Sequence, residues 1–139
     1  MIVIVIIGIM SSFTVIKFIG WLPRYKLGSA VSTIHCAFQL ARVSAVNKNT
    51  TVSIVFSPDA NSFLAFLDNG ADDGLRNGAE RLVRKIDMPA GIDLKSPTFG
   101  SMLQFNNRGM PNVGGDVIVE NKTLSKTVRL FLSGKSSIL

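Results

Sequence analysis

The first sixteen residues, Met1–Ile16, carry no charged side chain and are broken only by Gly8, Ser11, Ser12 and Thr14. Nothing else in the chain restricts its folding so strongly, because a run of this kind has to be kept out of water. It reads as a secretory signal peptide, a buried core segment or a membrane-spanning helix. A signal peptide needs a basic start and a small-x-small cleavage site; no charge precedes this core and nothing after Ser12 resembles such a site. The hydrocarbon layer is crossed by about 20 helical residues at about 1.5 Å each. Residues 1–21 meet that length when Lys17 snorkels outward and Trp21 lies at headgroup level. The β-branched composition favours a strand in water, but a lone segment in lipid must satisfy its own backbone hydrogen bonds, which imposes a helix. The membrane helix is therefore the favoured reading, with Ile2, Val3, Ile4, Val5, Ile6, Ile7, Ile9, Phe13, Val15 and Ile16 as its membrane-embedded, helix-packing side chains. Lys17, Arg24 and Lys26 follow the span, so the positive-inside rule taken alone places that end in the cytoplasm; basic residues upstream of Met1 would reverse this.

Hydrophobic residues make up 47% of the chain and charged residues 17%. The apolar excess sits in the first segment, and the rest reads as one ordinary water-soluble domain. The net charge of +6 comes from scattered Lys and Arg with no run of three, which reads as a solvated basic surface. The single cysteine, Cys36, excludes an intramolecular disulfide and reads as a small buried apolar residue. Its neighbour His35 points about 100° away on a helix, so the two do not form a nucleophilic pair. His35 is also the only histidine, Asp72 and Asp73 fall in a loop, and Gly134-Lys-Ser136 lies three residues from the end without opening a helix. No enzyme and no cofactor is expected.

Beyond the span, Gly20-Trp-Leu-Pro23 is expected to bend the chain, since proline lacks the N–H for an intrahelical bond. Helical periodicity then resumes: Leu27, Val31, Ile34, Phe38, Ala41 and Ala45 recur at spacings of three and four, and Ser32, Gln39 and Arg42 fall off that stripe. The helix should end near Asn47-Lys48-Asn49. Strands are expected at Thr51–Phe56 and Ser62–Leu67, joined by the Ser57–Asn61 turn, and at Arg81–Ile86, Ile92–Lys95, Met102–Phe105, Val117–Glu120 and Thr127–Leu132. The expected fold is α+β, a long N-terminal helix with a membrane-spanning first half, its second half packed on antiparallel sheets. The divisions are 1–22 (membrane or filament-core helix), 23–48 (amphipathic helix) and 49–139 (β-rich head).

This order of features, a Met1-Ile-Val-Ile-Val-Ile-Ile-Gly-Ile9 run, a stripe ending Phe38-Gln-Leu-Ala-Arg42-Val-Ser-Ala45, then strands, resembles the type IV pilin superfamily. Within it the chain is similar to the minor-pseudopilin group shared by type II secretion and type IV pili, the GspH/FimT family. Phe66-Leu-Asp-Asn-Gly-Ala-Asp-Asp-Gly74 through Gly78-Ala-Glu80 resembles the acidic turn of that group. Phe105-Asn-Asn-Arg-Gly109-Met-Pro111 resembles its Phe-x-x-x-Gly-x-Pro motif, and Ser133-Gly-Lys135 its closing Gly-Arg. Members begin with a basic leader, a glycine at the cleavage point and Phe-Thr-Leu-Ile-Glu-Leu ahead of the apolar run, so the resemblance implies an N-terminally truncated chain. It also implies a single-pass inner-membrane protein with a periplasmic head, partnered by other pilin or pseudopilin subunits and by inner-membrane lipid before assembly. A full-length precursor would be processed by prepilin peptidase.

Two sites compete with plainer readings. The Asp68–Gly74 turn with Glu80 suggests calcium: with Asn69 as first ligand, Asp73, Gly74 and Glu80 fall in EF-hand-like register, but Ala71 stands where an oxygen is required. A polar glycine-rich turn is the simpler reading. For DNA, resemblance to uptake receptors of the group points to Lys122, Lys126, Arg129 and Lys135, with Arg81, Arg84 and Lys85 as a second cluster. Duplex capture needs only phosphate contacts, whereas Phe131 is the only aromatic near the C-terminal set and Gly134-Lys-Ser-Ser137 holds one cation where uptake-type members hold two. Arg108 reads as an exposed turn residue. Whether the four C-terminal cations share one surface separates a DNA-capturing receptor from a structural subunit.

Overall fold

The computed structural model describes residues 2–68, 76 and 80–139; among helical residues 2–20, only the side chain of Val3 is described. Among the described residues one helix, α1 (Ile2–Lys48), precedes eight strands: β1 (Thr51–Ser57), β2 (Ser62–Asp68), β3 (Leu82–Asp87), β4 (Asp93–Leu94), β5 (Met102–Phe105), β6 (Gly115–Glu120), β7 (Ser125–Leu130) and β8 (Ser136–Ile138). Two four-stranded sheets result, ordered β3-β2-β1-β5 and β4-β6-β7-β8, and every pairing is antiparallel. The expected α+β arrangement is what the chain adopts.

The expected stripe is the buried face of α1: Leu27, Val31, Ile34, Phe38, Ala41 and Ala45 are all closed to solvent, with Ala30 and Ala37 beside them. Against it the first sheet turns Val52, Ile54 and Phe56 of β1, which stand opposite Leu67, Ala65 and Phe63 of β2. The second sheet contributes Val117, Val119, Val128 and Leu130 from alternate positions of β6 and β7, as the period-two rule of a half-buried strand requires. Phe38 sits where the layers meet, its ring 6.3 Å from Phe56 and 6.5 Å from Phe105. The helix ends in a Schellman arrangement: Asn49 takes a left-handed φ of 50°, its N–H donates to Val46 O, and Thr50 N–H donates to Ala45 O.

Helix α1 runs on through Pro23, and the head grips this turn, Asn121 Nδ2 donating to the Pro23 carbonyl at 3.2 Å. Two sequence expectations need correction. Cys36 is exposed, because two residues from Ile34 is about 200° around the helix, on the face away from the head. The last expected strand, Thr127–Leu132, lies two residues earlier at Ser125–Leu130, and an eighth strand follows it. The shift comes from a tight turn, in which Asn121 Oδ1 accepts the N–H groups of Thr123 and Leu124 and lets β7 begin at once. Among the described residues no helix is long and apolar enough to cross a membrane; the side chains of the candidate span lie, Val3 and Trp21 apart, outside the described residues.

Candidate functional site

Two stretches that are individually weak in sequence meet in space at one helical residue, Arg42. The first is the loop after β5. Gly109 N–H donates to Asn106 O at 2.8 Å and Asn106 N–H to Met110 O at 2.9 Å, closing a three-residue loop whose last member, Gly109, has φ +75°. Asn106 Oδ1 accepts the N–H groups of Arg108 and Met110, and Phe105 bridges to Pro111. The fixed positions of Phe-x-x-x-Gly-x-Pro thereby divide the work of holding the loop. Phe105 anchors it in the core, Gly109 takes the left-handed corner, and Pro111 closes the pair.

The second stretch is the turn between β7 and β8, built to the same plan. Gly134 N–H donates to Phe131 O at 2.8 Å, Phe131 N–H to Lys135 O at 2.9 Å, and Gly134 also has φ +75°. The two turns stack. A Cβ on Gly134 would lie 2.7 Å from the Gly109 carbonyl and 3.2 Å from Arg42 Nε, and one on Gly109 would lie 2.9 Å from Arg42 Cγ. Arg42 Nη1 donates to the Gly134 carbonyl at 3.3 Å. Only glycine fits these two positions, because both the backbone angle and the free space exclude a side chain.

Arg42 heads a polar stripe on the helix that sequence reasoning left aside as merely off the apolar face. One and two turns earlier, Gln39 Nε2 donates to Ser136 Oγ at 3.0 Å, and that hydroxyl lies 3.0 Å from His35 Nδ1, donating to it when the nitrogen is unprotonated. His35, Gln39 and Arg42 fall at i, i+4 and i+7 beside the buried stripe, and they fasten β8 and its turn to α1. That spacing was the available signal. Short, polar β8 offered none, since its inner residue, Ser136, is buried by virtue of these partners.

The structure scatters the cations proposed for DNA. Lys122 is on the β6–β7 turn, close to Pro23, while Lys135 is on the turn that stacks against Arg42. Nineteen helical residues, about 28 Å, separate these two levels of α1. Lys126 shares the parity of buried Val128 and leans toward the helix beside Tyr25, whereas Arg129 points to the outer face. Arg129 is also engaged, its Nε and Nη2 donating to the two Asp116 carboxylate oxygens at 2.8 and 2.9 Å. That fork holds the Asp116 carboxyl below its usual range, and Asp116 raises the guanidinium above its own. Arg81, Arg84 and Lys85 are exposed on or beside edge strand β3, and Lys85 lies 3.9 Å from Asp87. Arg108 is exposed on its turn.

Of the calcium candidates, Asn69 and Asp73 lie outside the described residues. Glu80 is buried, as is Asp68, which accepts a hydrogen bond from Ser53 Oγ at 2.9 Å. Among the described residues, no three acidic, histidine or cysteine side chains gather as a metal site.

The family described as Type II transport protein GspH has a sequence model that matches residues 30–134, a span from the buried helix stripe to Gly134. Among solved structures, the Pseudomonas aeruginosa type IV minor pilin FimU superposes with a TM-score of 0.68 at 16% identity, covering 84% of this chain and 90% of that one. The minor pseudopilin EpsH from the Vibrio cholerae Type 2 Secretion System gives 0.62 at 12% identity, with 82% and 96% covered. At these identities the likeness is one of fold. A search of curated protein sequences finds no relative of this chain.

Proposed function

Since the chain belongs to the GspH family of type II transport proteins, and since its fold is that of minor pilins and pseudopilins, we propose that it is a non-enzymatic minor subunit of an envelope filament, either a secretion pseudopilus or a type IV pilus. The observation that carries this reading is the excess length of α1. The helix begins at Ile2, yet its described buried positions run only from Leu27 to Ala45. About 30 Å of helix, from Ile2 to the Pro23 turn that the head grips, precedes the part the head uses, and its first residues through Ile16 are uncharged. A helix apolar on every side needs lipid or other helices around it. It holds the subunit in the inner membrane before assembly, with the head in the periplasm, and then exchanges lipid contacts for contacts with neighbouring subunits' helices. The exchange exposes no apolar surface to water.

Exposed Cys36, the only cysteine, gives a direct test. In cells, a bifunctional maleimide reagent is expected to cross-link the full chain to a second filament subunit carrying an engineered cysteine, and the adduct should appear in sheared filaments. A chain found only in the membrane fraction, with filament assembly unchanged in its absence, would refute the reading. DNA capture has less support, because Lys126 and Arg129 take opposite faces of β7 and Arg129 is already paired with Asp116.

A further inference from the structure

Where α1 enters the head, an apolar cavity of about 470 Å³ opens between Leu22, Pro23 and Lys26 of the helix, Gly91 and Ile92 of the loop between β3 and β4, and Lys122 of the β6–β7 turn. The Asn121 contact to the Pro23 carbonyl ties that turn to the helix, so Lys26 and Lys122 are held on one rim. The carboxylates on the adjoining strands are Asp93 and Glu120, which stand opposite each other in the β4–β6 register. Glu120 is paired with Lys95 at 2.8 Å, so Lys26 and Lys122 outnumber the one carboxylate left, Asp93, and the rim stays basic.

Immediately before the cavity, the helix presents Trp21 and Tyr25, stacked with ring centroids 5.4 Å apart and each more than half exposed, at 58% and 60%. Two large aromatics left in the open are costly in water. They suit the layer between hydrocarbon and headgroups, where an apolar ring and a polar tip are both accommodated. Directly above that layer, a basic rim over an apolar floor matches a molecule with a negative head and an apolar body.

We propose that this cavity binds an anionic phospholipid. The phosphate lies between Lys26 and Lys122, and the glycerol and upper acyl carbons cover Leu22, Pro23 and Ile92. A free phosphate ion would gain nothing from the apolar floor, and a zwitterionic lipid would bring its own cation to the lysines. The inference rests on the membrane-anchored reading above and adds a lipid preference to it. Bound lipid would orient the head against the bilayer until assembly withdraws the helix.

Trp21 is the only tryptophan, so its fluorescence reports on this place alone. The full chain is placed in lipid nanodiscs containing a fixed fraction of brominated phosphatidylglycerol or, separately, of brominated phosphatidylcholine, in otherwise identical phosphatidylcholine. Quenching is expected to favour phosphatidylglycerol by about fivefold for each lysine engaged. The preference should vanish in Lys26→Gln/Lys122→Gln, return in Lys26→Arg/Lys122→Arg, and leave the circular dichroism spectrum unchanged. Equal quenching by the two lipids, or a preference that survives the double glutamine variant, overturns the proposal while sparing the anchor. No quenching by either lipid overturns both.

Discussion

Replacing Gly134 with alanine tests the stacked turns in the most discriminating way. Two costs arise, and the structure separates them. The first is conformational, since a φ of +75° is left-handed and an L-residue there loses about 1–2 kcal/mol. The second is steric: the new methyl would lie 2.7 Å from the Gly109 carbonyl oxygen, a backbone atom, and 3.2 Å from Arg42 Nε. That oxygen cannot retreat without moving a loop fixed by four hydrogen bonds around Asn106. Overpacking of this kind costs about 1–3 kcal/mol, so Gly134→Ala should destabilise by about 2–5 kcal/mol. Gly91 is the internal control: its φ is +85°, yet a Cβ there meets nothing within 4 Å, so Gly91→Ala should show the conformational cost alone. Denaturant unfolding of the two variants, followed by circular dichroism, gives the difference directly. If Gly134→Ala costs no more than Gly91→Ala, the turns are not stacked tightly and Arg42 is not their common floor.

Phe38→Ala removes the ring shared by the helix and the strands carrying Phe56 and Phe105, and should cost about 3–5 kcal/mol in the same unfolding measurement; a loss under about 1 kcal/mol would mean the core closes without it. A carboxyl with a lowered pKa in the folded chain, such as Asp116, stabilises the fold above the unfolded value of about 4 and loses that contribution as pH falls through the folded value. Asp116→Asn should therefore be less stable than the parent at neutral pH, with the gap closing in acid titrations below about pH 4; a gap independent of pH would exclude the Arg129 pair as its source. In fluorescence anisotropy at physiological salt, duplex DNA should bind no more tightly than the non-specific range of about 10⁻⁴–10⁻⁶ M, and Arg129→Ala should change this little. Tighter binding lost in Arg129→Ala/Lys135→Ala would restore the DNA reading.

The helix stripe and most of the strands were legible because apolar periodicity acts locally, as each side chain's face is set by its own neighbours in sequence. Leu27 through Ala45 fell on one face at sight, and Val52, Ile54 and Phe56 alternated as a half-buried strand must. What escaped depended on partners far along the chain. Ser136 is buried because Gln39 and His35, about a hundred residues earlier, supply its hydrogen bonds. The cations near the C-terminus looked like a cluster only in one dimension. Alternation sends Lys126 and Arg129 to opposite faces of β7, a consequence of parity that could have been drawn from the sequence once the strand was assigned. Arg129's partner, Asp116, follows only from the β6–β7 register. Cys36 was misjudged by weighing the residue type above its angle on the helix.

These long-range polar contacts also bear on how the head is fixed to its helix. An apolar stripe resists separation of helix and sheet, but it is non-directional and gives little resistance to sliding along the axis or to a small rotation. Directional bonds provide that resistance, and in this chain they stand at both ends of the buried stripe. At the lower end the Pro23 carbonyl is held by Asn121, and at the upper end Arg42 is held between Gly109 and Gly134, about 28 Å away along the axis. Two fastenings at that spacing prevent the head from pivoting about either one, and Gln39 and His35 on Ser136 pin the interval between them. A pull along α1 is thereby shared by both sheets: Asn121 and Gly134 stand on the turns that join β6, β7 and β8 of the second, and Gly109 closes the loop leaving β5 of the first. For a subunit drawn out of a bilayer by its helix, as proposed above, this would be the mechanical requirement, and it would account for motif glycines that sit on helix contacts.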